Sequence, residues 1–591
     1  MLFLNWNLTT LKHLTLSYLL FAGTVSFAQN IEQVYSDTKG LLQNDPLSFS
    51  GGINANMTFY DAQGIENRRD PFYWSFSGNL NISVLGKISC PLSFTLTQQD
   101  KKFTHGLDKF SQPFNQFGIS PSYKWLTLHA GYRAINFSEY SQSGTLFLGG
   151  GIEIKPEKSK FSGTVAYGRF LKAIPVGGVD GIAVGLPAYE RWGGAGKLRY
   201  GTETNHIEMV YFAAKDDPYS IEFDTVNQLT PKSNQIFGLI TKQKVGEKLS
   251  FSGDFHYSMY NPNTYLPVQK LERFTYINKI FDPRADSKFN AAYNFGVEYK
   301  LFEYSIGLKF KRVDPDYASL GSVFIANDVQ EYSLTLGKQF FKNKVSINGS
   351  LGTTENNLDR KQIATQRRIA ASVNASISLI KNLNLNLGYN SFSSNVVAIR
   401  DIFYDSIRLT QLNQSGMFSA TYSFGKKWKQ SVNFNASYQE SGGNKTPLNQ
   451  VILLNPSYSL SIEKTKTTIT SAISFSQNSI LGINTVNIGP TLGLQQGFFK
   501  QRIKSGANFT IQDSRKNTVL TNYNIANNTF IALTINKSNT LKINHSFIYR
   551  KAVVEGAQNF KEHRLMINYS YTFSYRVKPF KTKKPDTNDE N

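Results

Sequence analysis

Cysteine is almost absent: Cys90 stands alone among 591 residues, so no internal disulfide can staple the fold. Long apolar runs are missing too. After residue 28 no stretch approaches the ~20 consecutive apolar residues that a transmembrane helix needs, and the mean hydropathy is −0.32. A helical membrane bundle is thereby excluded, whereas a membrane crossed by strands is not. Catalytic signatures are equally scarce. The histidines beyond residue 28 are His105, His129, His206, His256, His545 and His563. None has H-E-x-x-H spacing, and Cys90 has no second thiol with which to hold a metal. There is no G-x-S-x-G elbow and no phosphate-cradling loop with its lysine. The triplet Gly149-Gly150-Gly151 lies in an extended stretch, where a bend or a close strand approach accounts for it. The reading is a non-enzyme with no cofactor and no metal.

What the chain does contain is alternation. From about Leu47 to Arg576 one unit recurs: ten to sixteen residues of apolar alternating with small polar, a short turn, a second such stretch, then a longer loop. Over residues 47–59, Leu47, Phe49, Ile53, Ala55, Met57 and Phe59 fall on one face. Ser48, Ser50, Asn54, Asn56 and Thr58 fall on the other. A period of two means β-strand, because successive side chains leave a strand on opposite sides. Strands that show lipid one face and water the other keep the mean hydropathy low. Unbroken repetition over this length implies an all-β fold, a transmembrane antiparallel up-and-down β-barrel of the outer-membrane kind. Aromatic residues make up 14% of the chain, with 31 Tyr and 44 Phe, and gather near strand ends as interfacial girdles do. In the last strand Tyr569, Tyr571, Phe573 and Tyr575 share one face, resembling the aromatic closing strand by which such barrels are recognised for assembly.

The ends read differently. Lys12 and His13 precede an apolar run over residues 14–22, and Ser26-Phe27-Ala28 supplies small residues, so residues 1–28 read as a signal peptide cleaved between Ala28 and Gln29. No cysteine follows to carry a lipid anchor. Residues 29–46 are a short periplasmic segment, 47–576 the barrel, and 577–591, rich in Lys and Pro, a disordered basic periplasmic tail.

Short links, such as Gly86-Lys87, Lys381-Asn382 and residues 499–502, alternate with long ones, such as 171–189, 217–233 and 261–289. Short turns mark the periplasmic side of such barrels and long loops the outside, which places both termini in the periplasm. The count is about 26 strands, with 22 to 24 if weak strands merge. Strands about 4.8 Å apart and tilted about 40° give a diameter of roughly 50 Å. A hole that wide would breach the membrane, so something must fill or flatten it. The internal candidate is the 261–289 loop, where residues 271–281 (LERFTYINKIF) suit a short helix and Leu271, Arg273, Tyr276 and Phe281 would enter the lumen as a gate.

Charge is one-sided: 64 Lys and Arg against 42 Asp and Glu, a net +22. Lysines repeatedly mark the periplasmic turns, where they meet inner-leaflet phosphates or dock an acidic periplasmic or lipoprotein partner. A ring of basic turns without a recognition fold gives no support to nucleic-acid binding. On the lumen face of the 369–390 hairpin, Ser372, Asn374, Ser376, Asn384, Asn386 and Asn390 make a neutral wall, unlike a charge-ringed ion filter. At outer strand ends the pairs Arg68-Arg69 and Arg367-Arg368 are candidate contacts for lipopolysaccharide phosphates.

The segment FSQPFNQFGISPSYKWLTLHAGYRAINFSEY from Phe110, with GGGIEIKPEKSKFSGTVAYGRFLKA from Gly149 and Asp45-Pro46-Leu47 ahead of the first strand, resembles large uncharacterised outer-membrane barrels of Bacteroidota. The resemblance is strongest over residues 40–175. It implies the outer membrane of a Gram-negative bacterium and carries no activity. A TonB-dependent receptor would need a plug domain that this chain lacks. The lipopolysaccharide-export barrel would bring a periplasmic domain and disulfide cysteines that are also missing. The expected function is therefore a wide conduit or translocon-type channel, gated by loops or a partner. The alternatives are a non-conducting accessory subunit of an outer-membrane assembly or secretion complex, and a surface receptor or adhesin.

Overall fold

The computed structural model describes residues 47–98, 116–175, 187–222, 229–273, 275–399, 408–554 and 558–577. Its main sheet contains 27 strand segments. Two of them, Gln116–Ile119 and Ser122–Tyr123, are collinear halves of one strand, so 26 antiparallel strands close the barrel. The break falls at Ser120-Pro121, where proline has no N–H to give to the ladder. The Ser120 amide bonds instead to the Pro91 carbonyl at 2.9 Å. Every other strand pairs with its sequence neighbours. The ring shuts where the first strand, Leu47–Gln63, meets the last, Phe560–Arg576, in register from Ser48↔Arg576 to Gln63↔Lys561. Closure removes every sheet edge, the condition for a sheet to cross lipid.

The two faces separate as the alternation requires. Met57 and Phe59 on the first strand are exposed, as are Tyr167, Leu198, Met209, Leu239, Phe295, Leu308, Leu351, Ile473 and Leu492 around the ring. Directly opposed residues on antiparallel neighbours point to the same side, so the registers carry this outward row from strand to strand. It is a lipid-facing apolar band. Cys90 lies opposite Ile82, within that band.

Connections at the periplasmic-type end are short throughout. At the other end the alternation is less regular than the sequence implies. Leu481-Gly482 and Asn517-Thr518 are two-residue links with positive φ at both positions (51° and 75°, 47° and 72°), the type I′ geometry that matches strand twist. Two long-loop positions are thus as tight as any turn opposite them. The glycine triplet is a close approach: a Cβ on Gly149 would lie 2.1 Å from the Tyr167 carbonyl oxygen and 2.5 Å from the Gly168 Cα.

Candidate functional site

The site is the lumen, and its two sides differ. Along the strands between residues 126 and 340, two loops turn inward, residues 134–146 and 314–328. Apolar side chains in them have no water-free place to go except the barrel's inner wall. Phe137 packs among Phe147, Ala166, Phe170, Ala195, Val210, Phe212 and Ile236, all buried. Tyr140 and Tyr317 pack with Ala292 and Val313. Their partners share the luminal parity: Phe212 lies between the outward Tyr211 and Ala213, and Val313 follows the outward Phe310 by three residues. The two straps also hold each other. Gln142-Ser143 and Gly321-Ser322 form a two-residue parallel ladder, the Tyr317 hydroxyl donates to the Tyr140 carbonyl at 2.7 Å, and the Thr145 hydroxyl donates to the Gly321 carbonyl at 2.8 Å.

Polar contacts pin the straps to the wall. The Ser138 hydroxyl donates to Asp254 at 3.1 Å, Asn294 donates to the Tyr140 hydroxyl at 3.1 Å, and the Ser258 hydroxyl donates to the Ala318 carbonyl at 2.7 Å. The Leu320 amide donates to Asn234 Oδ1 at 3.2 Å. Lys311 reaches Glu139 at 2.8 Å and lies 5.4 Å from the centre of the Tyr140 ring. Burial alone would raise the Glu139 carboxyl, but the Lys311 ammonium outweighs it and holds the group below the ordinary value. Burial pushes the Tyr140 and Tyr317 hydroxyls well up, so both stay protonated and able to donate. Behind the straps the wall is charged and paired. Glu208 faces Lys197 at 3.8 Å and His206 at 3.6 Å and bonds Arg199. The Arg191 guanidinium grips Asp216 at 2.6 and 3.2 Å. His256, fully buried, sits 2.7 Å from Asp254.

The facing sector is bare. Eight strands run from Val345–Glu355 to Ile483–Phe498. Their buried side chains are Val345, Ser394 and Ala398, all near strand ends. Luminal positions include Ser346, Asn348, Ser350, Ser372, Asn374, Asn390, Ser415, Asn433, Asn435, Thr470, Asn487 and Thr491, linked by pairs such as Ser350–Ser372 at 2.7 Å and Thr491–Thr510 at 2.9 Å, with Phe392, Met417 and Leu453 as exposed apolar members of the same rows. The neutral wall read from one hairpin therefore extends over this sector, while the sector behind the straps carries the charge that reading missed.

The 261–289 loop takes a different place from the one expected of it. Leu271, Ile277 and Phe281 pack on Met259 and Phe289. These two oppose each other in a register that also pairs Phe255 with Tyr293 and Phe251 with Val297, the outward row. Gln235, on the same row, donates to the Ile280 carbonyl at 2.6 Å. The loop thus lies on the barrel's outer wall rather than in the lumen, because its apolar side chains met apolar partners one residue out of phase with the luminal set. Tyr276 and Arg273 are exposed. Of the helix expected over 271–281, a single 3₁₀ turn forms, Ile277–Lys279. The Asn278 side chain, bonded to both the amide and the carbonyl of Leu271, closes the segment into a loop instead.

The arginine pairs divide for the same reason of parity. Arg367 faces outward with Glu355 at 3.1 Å. Arg368 faces the lumen and donates to Gln366 at 2.9 Å, on the wrong side for an outer-leaflet phosphate. Arg68 folds back to Glu562 at 3.5 Å and over the Phe560 ring, and Arg69 is exposed. Tyr569, Tyr571, Phe573 and Tyr575 oppose Ala55, Ile53, Gly51 and Phe49 at the closure seam. Ala28, Gln29, His105 and the tail from 578 lie outside the described residues.

No protein-family model matches the chain, and no curated protein matches it. Among solved structures it is similar to Pseudomonas aeruginosa OccK5 (OpdH), at 10% identity over 89% of this chain and 98% of that one, with a TM-score of 0.30. It is also similar to the translocation pore of the P pilus usher PapC, at 9% identity over 89% and 100%, TM-score 0.35. The FrpB iron transporter of Neisseria meningitidis aligns at 11% identity over 88% and 81%, TM-score 0.37.

Proposed function

We propose that the protein is a non-catalytic conduit of the outer membrane, in which hydrophilic solutes pass along the bare neutral sector while the two inward straps narrow the opposite side. The observation that carries this reading is the asymmetry of the lumen. One arc is filled with packed aromatic side chains, and the other presents mostly Ser, Asn and Thr hydroxyls and amides without a buried layer over them. Such a wall exchanges hydrogen bonds with water and with polar solutes and carries little fixed charge to trap them, Arg368 being its mid-wall cation. The difference in connection length between the two ends favours long loops outside and both termini in the periplasm.

Planar-bilayer recording on the purified full chain tests it. The expected result is a stable open conductance, with flux of uncharged sugars in liposome swelling. A correctly folded barrel that is silent, and that is recovered from its native membrane with a stoichiometric lipoprotein or periplasmic partner, would replace this reading with a scaffold whose bare sector is filled by that partner.

A further inference from the structure

Next to the neutral sector the wall changes character. On Ile503–Lys516, Asn539–Ala552 and Phe560–Arg576 the luminal row is set by the pairs Asn508↔Asn528, Asn528↔Ser546 and Ser546↔Arg564. That parity places Lys504, Lys542, Arg550 and Arg564 inside the barrel. Lys504 and Lys542 both oppose Ala532, so they stand level on either side of a methyl group, about 10 Å apart at two strand spacings. Lys542 lies over the Phe530 ring at 5.7 Å. Arg564 is level with Ser546, four residues above Lys542, and Arg550 is four residues higher, about 13 Å per step. Arg550 donates to Asn522 at 3.2 Å, and the Nε atoms of Arg550 and Arg564 are buried without a hydrogen-bond partner.

Among the described residues none of these four cations pairs with a carboxylate. The one acid on the same luminal rows, Glu562, is engaged by Arg68. Behind the straps the opposite holds, since Glu208, Asp216 and Asp254 each face a basic side chain. Unneutralised positive charge is therefore concentrated on one side of the open part of the lumen, at three heights along its axis, with Asn508, Asn524, Asn528 and Asn544 beside it on the same row as amide donors.

We infer that this stripe is an anion track, which gives the conduit a preference for solutes carrying several carboxylate or phosphate groups. It rests on the conduit reading for its role in passage, but not for the binding itself. Lysine supplies point charge and arginine a planar fork to oxyanions, and three heights suit an extended anion better than a single ion.

Reversal potentials across a tenfold KCl gradient test the preference, and tripolyphosphate serves as the anionic probe. In the full-length channel chloride should permeate more readily than potassium, and tripolyphosphate should block the current. In the K504Q/K542Q/R550Q/R564Q variant the permeability ratio should fall to about 1, with block weakened at least tenfold. Heat-modifiable migration on unboiled gels checks that the variant folds, and K542Q/R564Q is the reserve should the quadruple variant fail to. Calorimetric titration of tripolyphosphate into the detergent-solubilised barrel reads binding independently of current. A conducting barrel whose ratio and block are unchanged by the substitutions would overturn the track and leave the conduit standing. A silent barrel that binds tripolyphosphate only with the four cations intact would uphold the track and overturn the conduit. No binding to the native barrel overturns the track in either case.

Discussion

The strands between residues 126 and 340 and those between 345 and 498 are built on the same alternation, yet their inner faces have opposite fates. The first arc buries Phe147, Phe170, Phe212, Ile236 and Val313 inside the barrel, and the second leaves Ser350, Asn374, Asn390 and Asn435 uncovered. The contrast is between a wall that expects a cover and one that does not. An apolar luminal side chain facing water forfeits about 25 cal/mol per Å² of buried area, so Phe212 on the inner row already demands the strap that covers it. Ser350 demands nothing, because water satisfies its hydroxyl as well as a protein group would.

The largest effect should come from erasing the contrast. Replacing residues 136–144 with a short Gly/Ser link removes Phe137 and Tyr140 and unpairs the Gln142-Ser143 ladder, leaving the second strap without the Tyr140 carbonyl that Tyr317 bonds. Single-channel conductance should rise several-fold. Unchanged conductance would show that the straps do not bound the permeation path.

A step smaller is Gly238→Ala. Its Cβ would lie 2.1 Å from Nε2 of the buried His256, and the ring has Tyr140 at 5.7 Å and Asp254 beside it. Overpacking of this sort costs about 1–3 kcal/mol, and the temperature at which the folded gel band converts should drop. Gly352→Ala, on the luminal row of the bare arc opposite Ala370, puts its added carbon 3.7 Å from the nearest atom, the Tyr332 carbonyl oxygen, an ordinary contact, and should leave that temperature in place. Equal shifts in both variants would deny that packing distinguishes the arcs.

Acid should loosen the strap more gently. Glu139 is held below the ordinary carboxylate value by Lys311, so its ion pair favours the docked strap fully above the undocked value, near 4.3, and that contribution fades as pH falls through the lower, docked value. Conductance noise should therefore grow below about pH 4 and stay quiet from 5 to 8. Glu139→Gln should show the noisy behaviour at every pH. Noise already present in the native chain at neutral pH would show that the Glu139–Lys311 pair does not hold the strap.

The fold was legible because a period of two survives substitution of almost any residue, and register then follows from turn length, as at Lys381-Asn382. The closure seam was legible for the same reason. The straps were not. Their signal was Phe137, Tyr140, Tyr317 and Leu320, apolar residues in segments that break the alternation, and nothing in a linear reading says which side of the wall such a loop will choose. The 261–289 loop carried a similar signal and went outside, where Met259 and Phe289 received it. Side is a property of the partner's parity, and parity is visible only once the strands are in register.

Parity also sets the smallest effect. Arg367 and Arg368 are adjacent in sequence, yet one points away from the barrel and the other into the lumen. The Arg367–Glu355 pair is exposed, with 64% and 43% of the two side chains accessible, and such pairs contribute about 0–1 kcal/mol, so neither substitution should disturb folding. Arg367→Ala should weaken retention of lipopolysaccharide on the purified barrel by no more than about twofold, since 1 kcal/mol would be near fivefold and several outward cations share the load. Arg368→Ala should leave retention unchanged and instead lower anion preference slightly, as the loss of the bare arc's one mid-wall cation. If both variants lost lipopolysaccharide alike, the outward and inward faces assigned to this strand would be wrong, and with them the separation of the two arcs.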